Sequence, residues 1–189
     1  MKRVAPLLFL VVSVGVISSS RGDVEERALK EKIMGCLRDP APCAAAGMGG
    51  LGAWHSLHTE SDDTNNLNSF RSCNYPKIEV NKPFTPQVIL DDEVVAGFQK
   101  VNISVTSTMN SIFQGMVGVC RKGETYSKAV RDQVKTIHIA WTDKEPAATR
   151  SLGAAPIVTL NGTELVVTVY AHMNDATAGV ATFLTKSLK

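Results

Sequence analysis

A chain that must accommodate residues 101–120 has few folds open to it. In the first half of this stretch Val101, Ile103 and Val105 alternate with Asn102, Ser104 and Thr106. Successive side chains of a strand point to opposite faces, so the alternation predicts a half-buried strand. Residues 113–120 are apolar and punctuated by Gly115 and Gly118, which predicts a buried strand whose neighbours approach closely at the glycines. From Tyr75 onward other short apolar or alternating runs follow at 77–80, 87–90, 94–98, 136–141, 157–160, 164–171 and 180–184. Their spacing is that of a sandwich or barrel. Asn161-Gly162, between two of these runs, predicts a hairpin closed by a type I′ turn, since both residues accept a positive φ. Between Thr125 and Lys135 the apolar residues sit among Lys, Arg, Asp and Gln at helical spacing, so one short helix is expected to cross the β region.

The N-terminus sets the compartment. Lys2 and Arg3, the apolar run 7–17 and Ser18-Ser19-Ser20 are the three parts of a secretory signal peptide. The run is shorter than the roughly 20 apolar residues a membrane span requires, so cleavage after Ser20 or Gly22 is expected and no span remains. Removing Lys2 and Arg3 lowers the formal charge from +2 to zero. A neutral chain without a basic run has no electrostatic footprint for nucleic acid or anionic lipid.

The four cysteines, Cys36, Cys43, Cys73 and Cys120, all lie beyond the leader. An even count in an exported chain predicts two disulfides, and sequence alone leaves three pairings open. Cys36 with Cys43 and Cys73 with Cys120 is the preferred set: the first bridge would pin a helix end, the second would tie the start of the β region to its central strand. No Cys-x-x-Cys occurs, which argues against zinc.

Ahead of the β region, Asp23 and Glu26 have the spacing of a capping box, and Leu29, Ile33 and Leu37 recur on one helical face, predicting a short helix over 24–37. Asp39-Pro40-Ala41-Pro42 ends it. Residues 38–74, rich in Gly and then in Ser, Thr, Asp and Asn, read as a long loop stapled by disulfides. The expected division is a leader over 1–20, a helix-and-loop extension over 21–74 and a β-sandwich over 75–189.

No reactive constellation stands out. His55 and His58, with Asp62 and Asp63 nearby, could ligate a divalent metal only if a helix brought both imidazoles to one side; the glycine- and serine-rich flanks favour solvated loop histidines, and no metal or cofactor is expected. His138 and His172 fall opposite Ile137, Ile139, Val169 and Ala171, on a polar sheet face. There is no Gly-x-Ser-x-Gly, and disulfides consume the cysteines. Asp91-Asp92-Glu93 reads as a turn between strands. Asn102-Ile103-Ser104 and Asn161-Gly162-Thr163 are N-glycosylation sequons, one on the polar side of its strand and one at a hairpin tip. Arg21-Gly22-Asp23 spells an integrin-type tripeptide but straddles the cleavage region. Trp141 reads as a core indole. Trp54, in the glycine-rich loop, is placed either over the core edge or, with His55 and His58, among binding residues.

Cys73, the stretch 113–121 (Phe-Gln-Gly-Met-Val-Gly-Val-Cys-Arg) and the stretch 137–146 (Ile-His-Ile-Ala-Trp-Thr-Asp-Lys-Glu-Pro) together resemble the Reeler-type secreted β-sandwich over residues 73–185. The chain departs from that pattern in lacking a Cys-then-His segment before the Trp strand and in its helical N-terminal extension. The resemblance implies an extracellular matrix or defence role without catalysis. A true immunoglobulin domain is disfavoured because Trp141 follows both Cys73 and Cys120.

These readings converge on a mainly β protein, an antiparallel Ig-like or Reeler-like sandwich with a short N-terminal helix. It is expected to be secreted and non-enzymatic, and to recognise an extracellular protein or surface glycan through its loops. Two alternatives are a carrier with an apolar interior and a metal-dependent hydrolase using His55, His58 and Asp62.

Overall fold

Residues 105–120 form a helix. The computed structural model describes residues 21–39, 51, 53–54, 73, 84, 86–146, 155–173 and 175–188. Its bounded elements are, in chain order, α1 (Arg21–Arg38), β1 (Gln87–Leu90), α2 (Asp92–Lys100), α3 (Val105–Cys120), α4 (Glu124–Gln133), β2 (Thr136–Trp141), β3 (Ile157–Asn161), β4 (Glu164–Val169) and α5 (Ala176–Ser187). The strands form one sheet of order β1-β2-β4-β3, in which β1–β2 and β2–β4 are parallel and β3–β4 is antiparallel. The expected mainly β antiparallel sandwich is therefore overturned: among the described residues helix outweighs strand, and the sheet is a small, mixed, four-stranded one packed with helices.

The reason lies in spacing. Val105, Met109, Ile112, Phe113, Met116 and Cys120 are all buried, at the three-and-four-residue intervals of one helical face. Gln114 is exposed, where a strand would have turned it inward beside Ile112 and Met116. The alternation over 101–105 has a different origin. Asn102 takes a left-handed φ of 54°, its N–H donates to the Gln99 carbonyl at 3.1 Å and that of Ile103 to the Phe98 carbonyl at 3.0 Å. That is a Schellman close to α2. Ser104 then caps α3, its hydroxyl accepting from the Ser107 N–H at 3.3 Å. A helix stop followed at once by a helix start has imitated a strand.

Other strand expectations fall for related reasons. Residues 94–98 lie in α2, where Val94, Val95 and Phe98 share a buried face, and residues 180–184 lie in α5, which buries Val180 and Leu184. The stretch 113–121 on which the Reeler resemblance leaned is the second half of α3 and its cap. Residues 77–80 lie outside the described residues. The expected helices over 24–37 and near 125–135 are present as α1 and α4, and the strands at 87–90, 136–141 and 157–160 are β1, β2 and β3.

The hairpin at Asn161-Gly162 forms, but one residue out of phase with expectation. Asn161 is still in β3, paired with Glu164, and Gly162 alone takes a positive φ, 63°. Gly162 and Thr163 are thus the two turn residues, and a positive φ confined to the first belongs to the type II′ pattern.

Along the strands every second side chain enters one core. Val88, Leu90, Ile137, Ile139, Leu165, Val167 and Val169 join residues from all the bounded helices in a single buried cluster. α3 crosses α5 at Gly115, where a Cβ would lie 2.7 Å from the Thr177 carbonyl oxygen and 2.9 Å from the Val180 Cβ, so only glycine allows that approach. The C-terminus of α3 is fixed by the Cys73–Cys120 disulfide, spanning 47 residues. Chain entropy alone values a loop of that length at about 4 kcal/mol. The expected pairing is present, but it ties Cys73 to a helix and not to a central strand. Cys36 is also in a disulfide; its expected partner, Cys43, lies outside the described residues.

Candidate functional site

The other face of the sheet is the distinctive surface. Gln87 and Ile89 on β1, Thr136, His138 and Ala140 on β2, Glu164, Val166 and Thr168 on β4, and Ile157, Thr159 and Asn161 on β3 share it by register, and Asp91 follows directly after β1. None of them is buried. Parallel sheets ordinarily have both faces covered. Here β2 and β4 alternate, apolar toward the helices and mixed toward the other side, and among the described residues that other face is the open one.

At the centre of this face stands His138. Its in-register neighbours are Ile89 and Val166, so Asp91, two residues beyond Ile89, and Glu164, two residues before Val166, are its diagonal neighbours on the same side. The imidazole bridges them: Nε2 is 2.9 Å from Asp91 Oδ1 and Nδ1 is 3.0 Å from Glu164 Oε1. The three side chains are 27%, 35% and 38% exposed respectively. Hydrogen bonding to the Asp91 carboxylate is the main cause that raises the His138 pKa above its usual 6.5; partial burial opposes it, and the Asp91 charge and then Glu164 add to it. Only the imidazolium can donate from both ring nitrogens, so the arrangement is a charged clasp across β1, β2 and β4. A general base needs a lone pair directed at substrate; here each nitrogen is committed to a carboxylate.

The remaining sequence-selected residues are scattered. Trp54 is in the core, 5% exposed, its indole N–H donating to the Leu37 carbonyl at 2.8 Å and its ring 4.8 Å from that of Phe113; no face of the indole is left for a partner. His55, His58, Asp62 and Asp63 lie outside the described residues. Among the described residues no group of three His, Cys, Asp or Glu side chains could hold a metal ion. His172 lies past the end of β4, exposed, and contacts Glu145. Trp141 packs edge-on against Phe98, centroids 5.1 Å apart, with its N–H on Asp143 at 2.9 Å. Arg21, Gly22 and Asp23 open α1. Asn102 and Asn161 are both exposed, Asn102 in the turn after α2 and not on a strand. A groove of about 470 Å³ runs between the start of β3 and α5, lined by Pro156, Val158, Gly179 and Phe183 with Asp175 and Lys186.

Sequence reading named His138 without its partners. By local pattern Asp91 belongs to a turn and Glu164 to a strand, and only the strand order brings them together: β2 lies between β1 and β4, which are separated in the chain by three helices and two strands. No family model, curated protein or solved structure matches this chain.

Proposed function

We propose that this is a secreted, non-enzymatic recognition protein that binds an extracellular protein or surface glycan through the open face of its sheet. The observation that carries the reading is the one-sided architecture. Among the described residues, helices cover one face, while the other presents threonine, asparagine and aliphatic side chains, with Ile157 at 42% exposure, around a charged group that is already paired. A rigid, mostly uncharged surface of this kind suits contact better than chemistry. The leader-like N-terminus and the Cys73–Cys120 bridge support an oxidising, extracellular setting. Asn102 and Asn161 are exposed, which supports glycans at both.

The test pairs wild type with a Thr159→Arg, Val166→Arg double substitution. These residues are in-register partners on the open face. Captured from extracellular material and on a glycan array, wild type is expected to retain a partner that the double variant loses at unchanged melting temperature. Equal retention by the two proteins, or nothing above background with either, contradicts the reading.

A further inference from the structure

Asp91 has two possible employments, and it is engaged in only one of them. It is the N-cap residue of α2, with the extended backbone (φ −65°, ψ 151°) that the position requires. Aspartate is among the best side chains for that position, because its carboxylate can accept from the second or third amide of the helix. Yet it makes no side-chain cap bond. Elsewhere in the molecule the same position is used: Ser104 accepts from the Ser107 N–H at 3.3 Å to cap α3, and Asp175 from the Ala178 N–H at 2.9 Å to cap α5. Asp91 instead holds His138. At the start of α2 the Val94 N–H reaches only the Asp91 backbone carbonyl, at 3.3 Å.

His138 and the N-terminus of α2 therefore compete for one carboxylate. Both bonds use the ionised carboxylate, but the imidazolium offers it a full positive charge where the helix N-terminus offers only a partial one, so the protonated imidazole wins. Once it loses a proton it has a single N–H for two carboxylates, and one of them must face a lone pair. Glu164 is the first residue of β4 and not the N-cap of a helix. Asp91 is one side-chain rotation from amides that lack a side-chain acceptor.

We propose that His138 is a proton-operated latch: protonated, it holds Asp91 on the sheet face, and deprotonated, it releases Asp91 to cap α2. The groups that face His138 are Asp91 from the β1–α2 junction and Glu164 from β4. Its other neighbours on that face, Gln87 and Ile89 of β1, Thr136 and Ala140 of β2, and Val166 and Thr168 of β4, carry no charge. The neighbouring Asp92 is paired with Lys30 of α1 at 2.6 Å and does not compete. Release removes one carboxylate and one positive charge from the centre of the open face. If a partner docks there, which rests on the recognition reading, its affinity changes with the same proton; the latch itself requires no partner.

The test is an NMR titration of the intact, isotopically labelled chain from pH 5 to 9. The His138 ring signals are expected to titrate with a midpoint above 6.5, and the backbone amides of Glu93 and Val94 to shift with that same midpoint as the cap forms. In Asp91→Ala the His138 midpoint falls and the Glu93 and Val94 amides cease to respond. Should that variant not fold, Asp91→Asn, which can cap at every pH, is expected to give flat α2 amides. Wild-type amides that stay flat through the His138 midpoint, or that move at a different pH, overturn the latch, as does a midpoint at or below 6.5.

Discussion

The β3–β4 hairpin and the α2–α3 corner are both built around an asparagine followed within two residues by a hydroxyl side chain, and they use it differently. At the hairpin, Asn161 ends a strand and Gly162 supplies the positive φ that sends the chain back antiparallel. At the corner, Asn102 itself takes the positive φ, closing one helix as Ser104 opens the next. In the hairpin the flanking runs alternate because each strand has an open side. At the corner the flanks only resemble alternation, since Val101 and Ile103 are exposed turn residues while Val105 is the first buried residue of a helical face. A period-two pattern over five residues thus carries little weight unless the helical spacing beyond it has been excluded.

The comparison breaks most easily in α3. Phe113→Ala, at a fully buried ring, is expected to cost about 3–5 kcal/mol, whereas Gln114→Ala should change stability by less than about 0.5 kcal/mol. A strand would require Gln114 to face inward with Ile112 and Met116, so urea denaturation of the two variants separates the geometries. Next in size, Asn102→Val forces a β-branched residue into the left-handed region and should cost about 1–2 kcal/mol, while Asn102→Gly should be nearly neutral. Both variants remove the sequon, so the difference between them isolates backbone strain from any glycan. Ser104→Ala, which removes the cap of α3, is expected to cost about 1 kcal/mol by thermal denaturation.

The smallest effect concerns the sheet. His138 has its pKa raised by folding, so the clasp contributes fully below the unfolded value of 6.5 and is lost as pH rises through the higher folded value. Wild-type stability should fall by up to about 1 kcal/mol over that interval. His138→Gln should remove the dependence. An unchanged slope in that variant would assign the pH effect to another group.

What could be read from the residues follows the same division. β1, β2, β3, α1 and α4 were legible because their periodicity is local: Ile137 and Ile139 against Thr136 and His138, or Leu29, Ile33 and Leu37 on one stripe. The cysteine count predicts two bridges but leaves three pairings open; the preferred Cys73–Cys120 pairing is the one present. The corner was not legible, because Asn and Ser serve caps and strands alike, and Val94-Val95 fits either period. A signal was nonetheless present: Ser104 followed by the buried series Val105, Met109, Ile112, Phe113 and Met116 is an N-cap and a helical stripe. Of the candidate site only His138 could be seen. Its partnership with Asp91 and Glu164 depends on β2 lying between β1 and β4, which no local pattern encodes.

The backbone of residues 105–120 decides whether the protein is a one-sided α/β layer or a sandwich. Backbone NMR assignment of that segment, read as deviations of the Cα shifts from random-coil values, tests it most directly. A continuous positive run from Val105 to Cys120, interrupted at neither Gly115 nor Gly118, is the predicted result. Negative deviations over 112–119 would contradict it, and the open sheet face would fall with it.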